Sequence, residues 1–225
     1  MTTSSSELQI LDAWHSNADA WERAVRDGRI ESRKLITDRA IVEAVLSHAP
    51  RRVIDVGCGE GWLARRLADE GIEVVGVDAV PALVEAARSR GSGSFQVMSY
   101  TEIAAGALCE RADVVVCNFS LLGDSSVDGL LAAMPGLLEP DGVLLVQTLH
   151  PLVAAPTEPY RDGWREGSWA GCGEGFSQAA PWYFRTLGSW FEAFRVAGLR
   201  LVQLIEPLHP HTGRPASVIF LLGAS

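Results

Sequence analysis

Nine residues, Val53-Ile54-Asp55-Val56-Gly57-Cys58-Gly59-Glu60-Gly61, limit the folds open to this chain more than any other stretch. A short apolar run carrying one carboxylate gives way to three glycines on alternate positions. The run reads as a buried strand, and the glycines as a turn too tight for side chains, with a helix starting near Trp62. Glycine accepts positive φ and lets backbone approach a ligand without a Cβ between them. The helix that follows offers unpaired N–H groups at its start. Such a strand–turn–helix unit predicts a nucleotide-type binding turn.

With 225 residues, 48% hydrophobic and 21% charged, the chain suffices for one full α/β domain and is short for two. Nineteen basic against 28 acidic residues give a net charge of −9. A net acid surface repels nucleic-acid backbones and anionic membranes, and no Lys/Arg run relieves it, so neither is expected as a partner. Cys58, Cys109, Cys117 and Cys172 form no CxxC pair, and no apolar run reaches bilayer-spanning length. The expectation is a reduced, cytoplasmic protein, monomer or homodimer, acting on a small molecule.

Leu8 to about Arg26 predicts a helix with Trp14 and Trp21 on one face, either core staples or a cap over the glycine turn. Ile30–Arg33 follows, and a second helix over 37–47 is closed by Pro50. Strands are expected at Arg52–Val56, Glu73–Asp78, Phe95–Met98, Ala112–Cys117 and Val143–Thr148, with helices at 62–70, 81–90, 127–138 and weakly through Leu108. Pro140-Asp141-Gly142 reads as a turn before the fifth strand. Strands alternating with helices predict βαβ units and a mostly parallel, doubly wound sheet. The rhythm breaks from His150 to Pro181, a Pro/Gly-rich stretch long enough to be a lid or binding loop. A helix at 186–197 and strands Leu199–Glu206 and Ser217–Leu222 close the chain, their short connection predicting an antiparallel hairpin.

Four segments occur in an informative order: Asp55–Gly61, Val75-Gly76-Val77-Asp78, Asp113–Asn118 and Leu138–Leu144. Together they resemble the class I S-adenosylmethionine-dependent methyltransferases over about residues 37–150, and the terminal hairpin fits as well. The resemblance implies a Rossmann-like, seven-stranded α-β-α sandwich, mostly parallel with an antiparallel C-terminal strand. It divides the chain into an N-terminal helical cap at 1–36 and a cofactor-binding domain at 37–225, with a lid-like insert at 150–184. A dinucleotide oxidoreductase is the main competitor, but the glycines read G-x-G-x-G rather than GxGxxG, and Asp55 would repel a pyrophosphate.

The resemblance further implies that Gly57 and Gly59 lay backbone against the methionine part of S-adenosylmethionine, with Asp55 facing its ammonium. Asp78, with Ala79 beside it, would accept both ribose hydroxyls. Ser99 and Tyr100 stand where family members often carry an acid touching adenine; the nearest acid here is Glu102. Asn118 and Phe119 would border the methionine chain and the methyl group. Arg33 would clamp the cofactor carboxylate or, equally, make an ordinary ion pair, and Trp14 and Trp21 would cover the cofactor. S-adenosylhomocysteine would be the product.

The protein's part in such a transfer is to position a nucleophile and exclude water. His150, directly after strand five, is the candidate base, against a role in capping the strand end. Tyr183 is the second catalytic candidate, with Arg185 beside it. Trp164, Trp169, Phe176, Trp182, Tyr183 and Phe184 line the irregular stretch, as substrate contacts or as packing. His209 and His211 lack a ligand cluster, so no metal is assigned. No Asn-Pro-Pro-Tyr segment follows strand four; Asn118-Phe119-Ser120-Leu121 stands there. The expected acceptor is an O or N nucleophile of a small, partly apolar metabolite. A catalytically silent cofactor-binding protein is the other alternative.

Overall fold

The computed structural model describes residues 5–154 and 157–225. Seven strands form one sheet in the order β3-β2-β1-β4-β5-β9-β8. They are β1 (Arg52–Val56), β2 (Glu73–Asp78), β3 (Ser94–Val97), β4 (Ala112–Asn118), β5 (Leu138–Thr148), β8 (Leu199–Ile205) and β9 (Val218–Ala224). Only β9 runs against the rest, pairing antiparallel with both β5 and β8. The central strands are buried on both faces, as near-continuous Val/Ile/Leu runs require. Alternate side chains feed two cores. Ile54, Val115 and Leu144 face α5 (Tyr100–Ala104), α6 (Ser125–Leu137) and α8 (Leu187–Val196). Val53, Val114 and Leu145 face α2 (Asp38–Leu46), α3 (Trp62–Ala68) and α4 (Pro81–Arg90). Strand order reverses between β1 and β4, and the glycine turn leaves β1 there.

The helix expected at 37–47 is present as α2, preceded by a π-helical turn, Arg33–Thr37. Ala49 turns the chain after it at φ 46. Two expectations are corrected. Pro140-Asp141-Gly142 does not precede β5 but interrupts it. Leu138 already pairs with Ala112, pairing resumes at Val143 opposite Val114, and Asp141 turns at φ 65 between them. The stretch after His150 is less irregular than its composition implied. A short helix, α7 (Pro151–Ala154), is followed by a two-stranded ribbon of β6 (Gly163–Arg165) and β7 (Trp182–Phe184). The frayed start expected at Met1–Ser6 lies outside the described residues except for Ser5 and Ser6, which already belong to α1 (Ser5–Arg26). Of the lid-like insert, 155–156 lie outside them too. Remaining strand and helix ends differ by up to four residues, the most at α5, which ends at Ala104 where a weak helix through about Leu108 was expected.

α1 is tied to the sheet's carboxyl edge at two places. Near its start the buried Glu7 carboxylate accepts from Asp124 N (3.1 Å), Ser126 N (2.9 Å) and Ser125 Oγ (3.4 Å), satisfying donors at the start of α6. Burial alone would push the Glu7 carboxyl up; these hydrogen bonds outweigh it and leave it lowered. At mid-helix the buried Asn17 Oδ1 accepts from Ser177 N (2.6 Å) and Ser177 Oγ (3.0 Å). Glu7→Ala strands donors that a charged acceptor now serves, so unfolding free energy should fall by about 2 kcal/mol in a denaturant titration.

Candidate functional site

β1 carries Asp55 to the switch point, where it is 2% exposed. Among the described residues no group donates a hydrogen bond to its carboxylate. Burial, and then the nearby Asp78 charge, pushes its pKa up to about 7. Asp78 ends β2 and braces the glycine turn: its Oδ2 accepts from Gly59 N at 2.8 Å and its Oδ1 from Val80 N at 2.9 Å. Burial raises Asp78 as well, opposed by the bonds from Val80 and Gly59 and by His15. A carboxylate has about four lone-pair sites, so two remain for a ligand's hydroxyls. Two inward-facing carboxylates, of which only Asp78 is eased by a nearby side chain, His15, fit a ligand that brings positive charge and a diol.

The turn folds as its glycines dictate. Gly57 sits at φ 79 and Gly59 at φ 55. A Cβ on Gly57 would lie 2.3 Å from Ser120 Cβ and 3.3 Å from Tyr100 Oη, so the loop after β4 rests directly on the turn. That loop is held by Ser120 Oγ donating to Val56 O (2.8 Å) and by Tyr100 Oη donating to Ser120 O (2.8 Å). Phe119 reaches the loop through a φ of 53, unusual outside glycine, with its N–H on Gln147 O at 2.8 Å.

Arg33 hangs from the π-helical turn, a geometry often found at functional sites. Its guanidinium stands 4.7 Å from the Trp62 ring centroid and 5.8 Å from that of Trp21. Its Nε donates to Asp38 at 2.9 Å, whereas Nη2 is buried without a partner. The ion pair expected of this residue is present on one nitrogen, and another nitrogen keeps an unused donor. Trp21 Nε1 lies 3.7 Å from where a Gly59 Cβ would be, so α1 covers the glycine turn. Trp14 meets Trp21 edge to face at 5.0 Å, and Trp169 of the insert joins both, stacked on Phe176 at 4.6 Å. Trp14 and Trp21 also pack on Ala18, Val80 and Leu83, so core staple and cap are one role.

Other predicted residues are committed elsewhere. Ser99 caps α5 in a reciprocal capping box with Glu102, whose Oε2 accepts from both the N–H and the hydroxyl of Ser99. Tyr100, its hydroxyl donating to Ser120 O, braces the loop. His150 is wholly buried: Nδ1 accepts from Leu152 N at 3.2 Å, which leaves the ring proton on Nε2, 2.8 Å from Glu206 Oε1. Neither nitrogen is free to take a proton from a nucleophile, and the strand-end role is the one the geometry favours. Tyr183 lies in β7, its N–H on Leu122 O (2.8 Å), its ring against Trp164 (5.4 Å) and the Arg185 guanidinium (4.9 Å). Burial first, then Asp124 and Asp162, pushes its phenol up, so it keeps its proton at neutral pH and makes a poor base. Ala79 follows Asp78 in the turn toward α4. Asn118 Oδ1 is buried and unpartnered at the end of β4.

Sequence reasoning missed Glu7, Asn17, Thr37 and Gln147. All four act across more than 100 residues, and only Glu7 and Asn17 carry a local hint, as polar residues on an otherwise apolar helix flank. All four cysteines are free, with Cys58 and Cys117 buried as expected. Among the described residues no three His, Cys, Asp or Glu side chains gather as metal ligands, and no helix is long and apolar enough to cross a membrane.

A seven-stranded sheet of this order, with its terminal antiparallel hairpin and an acid-lined glycine turn at the switch point, defines the class I methyltransferase architecture. The chain belongs to the methyltransferase domain family, whose model matches residues 29–204. It is 37% identical over 122 residues to a ubiquinone biosynthesis O-methyltransferase from Xanthomonas axonopodis, covering 51% of this chain and 49% of that one. A protein of the same name from Methylococcus capsulatus is 28% identical over 156 residues, covering 67% and 65%. The chain thus spans about half to two thirds of the length of these relatives. Among solved structures, magnesium protoporphyrin IX methyltransferase from Synechocystis with bound S-adenosylhomocysteine superposes with a TM-score of 0.66 at 17% identity, over 95% of this chain and 97% of that one.

The contact between the turn and the loop after β4 is directly testable. Gly57→Ala adds a Cβ where Ser120 already sits and imposes positive φ on alanine. Unfolding free energy should drop by about 2–4 kcal/mol in chemical denaturation, whereas Gly71→Ala, with open space around its Cβ position, should cost less than half as much.

Proposed function

We propose that this protein transfers a methyl group from S-adenosylmethionine to an O or N nucleophile of a small, partly apolar metabolite. The observation that carries the reading is Asp55: a buried, donor-free carboxylate beside Asp78, behind a turn that exposes backbone. An anionic pyrophosphate would be repelled there; a ligand bearing an ammonium and a sulfonium would relieve the burial cost of both acids. The unpartnered Arg33 Nη2 suits a carboxylate on the same ligand, and the spare lone pairs of Asp78 suit a ribose diol. Both relatives named above are O-methyltransferases, which supports the reaction class.

When bound, S-adenosylmethionine supplies an electrophilic methyl carbon whose bond to sulfur breaks with the electron pair returning to sulfur. The chain's own residues do the rest. Gly57 and Gly59 offer backbone to the methionine portion, and Asp78 with Ala79 orients the ribose. Trp14, Trp21 and Trp169 close α1 and the insert over the turn and exclude water. In this division residues 1–36 are the cap, 37–225 the cofactor-binding domain, and 150–184 its lid. Ser99 and Tyr100 act by positioning α5 and the loop after β4, and Asn118 and Phe119 border the methyl group. Tyr183 and Trp164, on the β6–β7 ribbon, supply an apolar wall for the acceptor. No side chain is assigned as base, and the nucleophile's proton leaves to solvent. The setting is cytoplasmic and the protein works as monomer or homodimer, consistent with four free cysteines.

The pH dependence follows from Asp55. Below about 7 its carboxyl holds a proton that must leave before a cation binds. Affinity for S-adenosylmethionine, measured by calorimetry between pH 5.5 and 8.5 as rough limits, should rise with pH and level off above about 7. Stability of the ligand-free protein moves oppositely. Between the ordinary carboxyl range and about 7 the folded chain holds a proton the unfolded chain has released, so folding weakens as pH rises. Asp55→Asn should flatten both profiles, and Asp78→Ala should lower affinity at least about tenfold, roughly 1.4 kcal/mol or more. Binding of NADPH with none of S-adenosylmethionine would overturn the reading; cofactor binding without transfer to any metabolite pool would leave a silent binding protein.

A further inference from the structure

The glycine turn at 55–62 has a near copy in the insert at 169–176. Asp55-Val56-Gly57-Cys58-Gly59-Glu60-Gly61-Trp62 is matched by Trp169-Ala170-Gly171-Cys172-Gly173-Glu174-Gly175-Phe176, with Gly-Cys-Gly-Glu-Gly identical in both. The backbone repeats as well. Gly57, Gly59 and Gly61 lie at φ 79, 55 and 79, and Gly171, Gly173 and Gly175 at 82, 96 and 91. The chemistry at the head of each turn is opposite. Where the first carries the Asp55 carboxylate, the second carries an indole, whose Nε1–H can only donate.

The surroundings differ in the same sense. Two acids, Asp55 and Asp78, stand by the first turn, whereas arginines crowd the second. A Cβ on Gly173 would lie 2.9 Å from Arg29 Cδ, and one on Gly175 3.3 Å from Arg23 Nη2. Burial pushes the Cys172 thiol up and the Arg33 charge partly offsets it, so Arg33 lies near this turn too. Glu174, the turn's own acid, is exposed, and Asp27 is engaged by Arg26 and Arg29. Two donors are left over. Arg33, 9% exposed, keeps Nη2 buried without a partner, and Trp169 Nε1 is buried without one as well. Both residues border Trp21, the guanidinium 5.8 Å from its ring centroid and the Trp169 ring 6.3 Å. Trp21 in turn lies over Gly59 of the first turn. Native proteins pair buried donors, so two orphans flanking one indole point to an absent acceptor.

We propose that Trp169 and Arg33 together grip the carboxylate at the amino-acid end of the methyl donor, and that the insert latches only over a donor that keeps it. This rests on the methyl-transfer reading above. The amino-acid end of S-adenosylmethionine is a zwitterion, and the two turns divide it. The first takes the ammonium at Asp55; the second brings an indole N–H to the carboxylate beside Arg33. A carboxylate has lone pairs enough for the planar guanidinium and the indole at once. Closing the insert without it strips water from both donors and returns nothing, whereas closing over it returns charge-assisted hydrogen bonds. The insert therefore distinguishes a whole donor from a truncated one. A nucleoside lacking the carboxylate still meets Asp78 and the first turn, and leaves the insert unlatched.

The test uses the full chain, 15N-labelled for NMR, and two ligands that differ only in the carboxylate. These are S-adenosylhomocysteine and the amine left when its carboxyl group is removed. The Trp169 indole N–H is the signal lost in Trp169→Phe. S-adenosylhomocysteine should move that signal, slow its exchange with solvent deuterium, and bind about tenfold or more tightly than the amine. The amine should move the Gly57 and Gly59 amides but leave the indole as it is in the free protein. Trp169→Phe keeps a ring against Phe176 and Trp14. It should lower S-adenosylhomocysteine affinity about threefold or more and leave the amine's unchanged. Equal affinities, the same indole response to both ligands, or a Trp169→Phe variant that weakens both alike would overturn the latch and leave the methyl-transfer reading standing. If neither ligand moves the Gly57 and Gly59 amides, that reading fails and the latch falls with it.

Discussion

The architecture depends on a carboxylate placed where a carboxylate is costly. Asp55 lies buried near the end of β1 with no donor to offset its lost hydration, and its neighbour Asp78 makes ionisation harder still. A hydrophobic residue there would stabilise the empty fold. The structure instead keeps an acid and pushes its pKa up to about 7, so that the site is strained electrostatically until positive charge arrives. Everything around the turn keeps that charge shielded and aimed. Asp78 holds Gly59 and Val80 by their N–H groups, Ser120 fills the space beside Gly57, and Trp21 lies over Gly59.

The cover is as specific as the turn. α1 is bound to the start of α6 by Glu7 and to the insert by Asn17, with Trp14 of the indole cluster between the two contacts and Trp21 one turn beyond Asn17. A buried carboxylate capping a helix and a buried amide receiving two donors fix direction as well as proximity, which apolar packing alone does not. Arg185 performs the matching task on the far side. It is buried, with hydrogen bonds to Gly123 O (2.8 Å) and Asp128 (2.9 Å), so the loop between β4 and α6 is set from both sides. The segments that carry Phe119 and Tyr183 are thereby held against one another.

The fold was legible because its signals are local. Each central strand is an apolar run with a polar residue at or next to its end, and Gly-x-Gly-x-Gly after the first admits few alternatives. Asp55, Gly57, Gly59 and Asp78 could be singled out for the same reason: each lies within a few residues of a strand end. What escaped was set by long-range partners. His150 follows β5 where a base might be sought, yet Glu206, 56 residues later, occupies its Nε2. Ser99 stands where an adenine contact was expected, but three residues on Glu102 completes a capping box that the sequence displays and that went unread. The interruption of β5 was expected as a turn because Pro-Asp-Gly has turn chemistry; the strand tolerates it because residues 139–142 loop out of the pairing.

Gln147 and Thr37 show why a buried polar cluster is harder to read than a glycine turn. A cofactor with fixed charges demands fixed features, here two acids and a glycine turn, at fixed distances along the chain. A buried polar cluster needs only a few polar atoms of the right kind, supplied from any element that reaches the sheet edge. Glutamine within an apolar β5 is, by itself, an unremarked polar residue in a strand. It gains meaning once Thr37 O fixes which end of its amide is spent, because only then is the remaining oxygen known to be an acceptor. Which end of a buried amide stays available is thus encoded in hydrogen-bond direction, a property of the folded arrangement and not of any stretch of sequence.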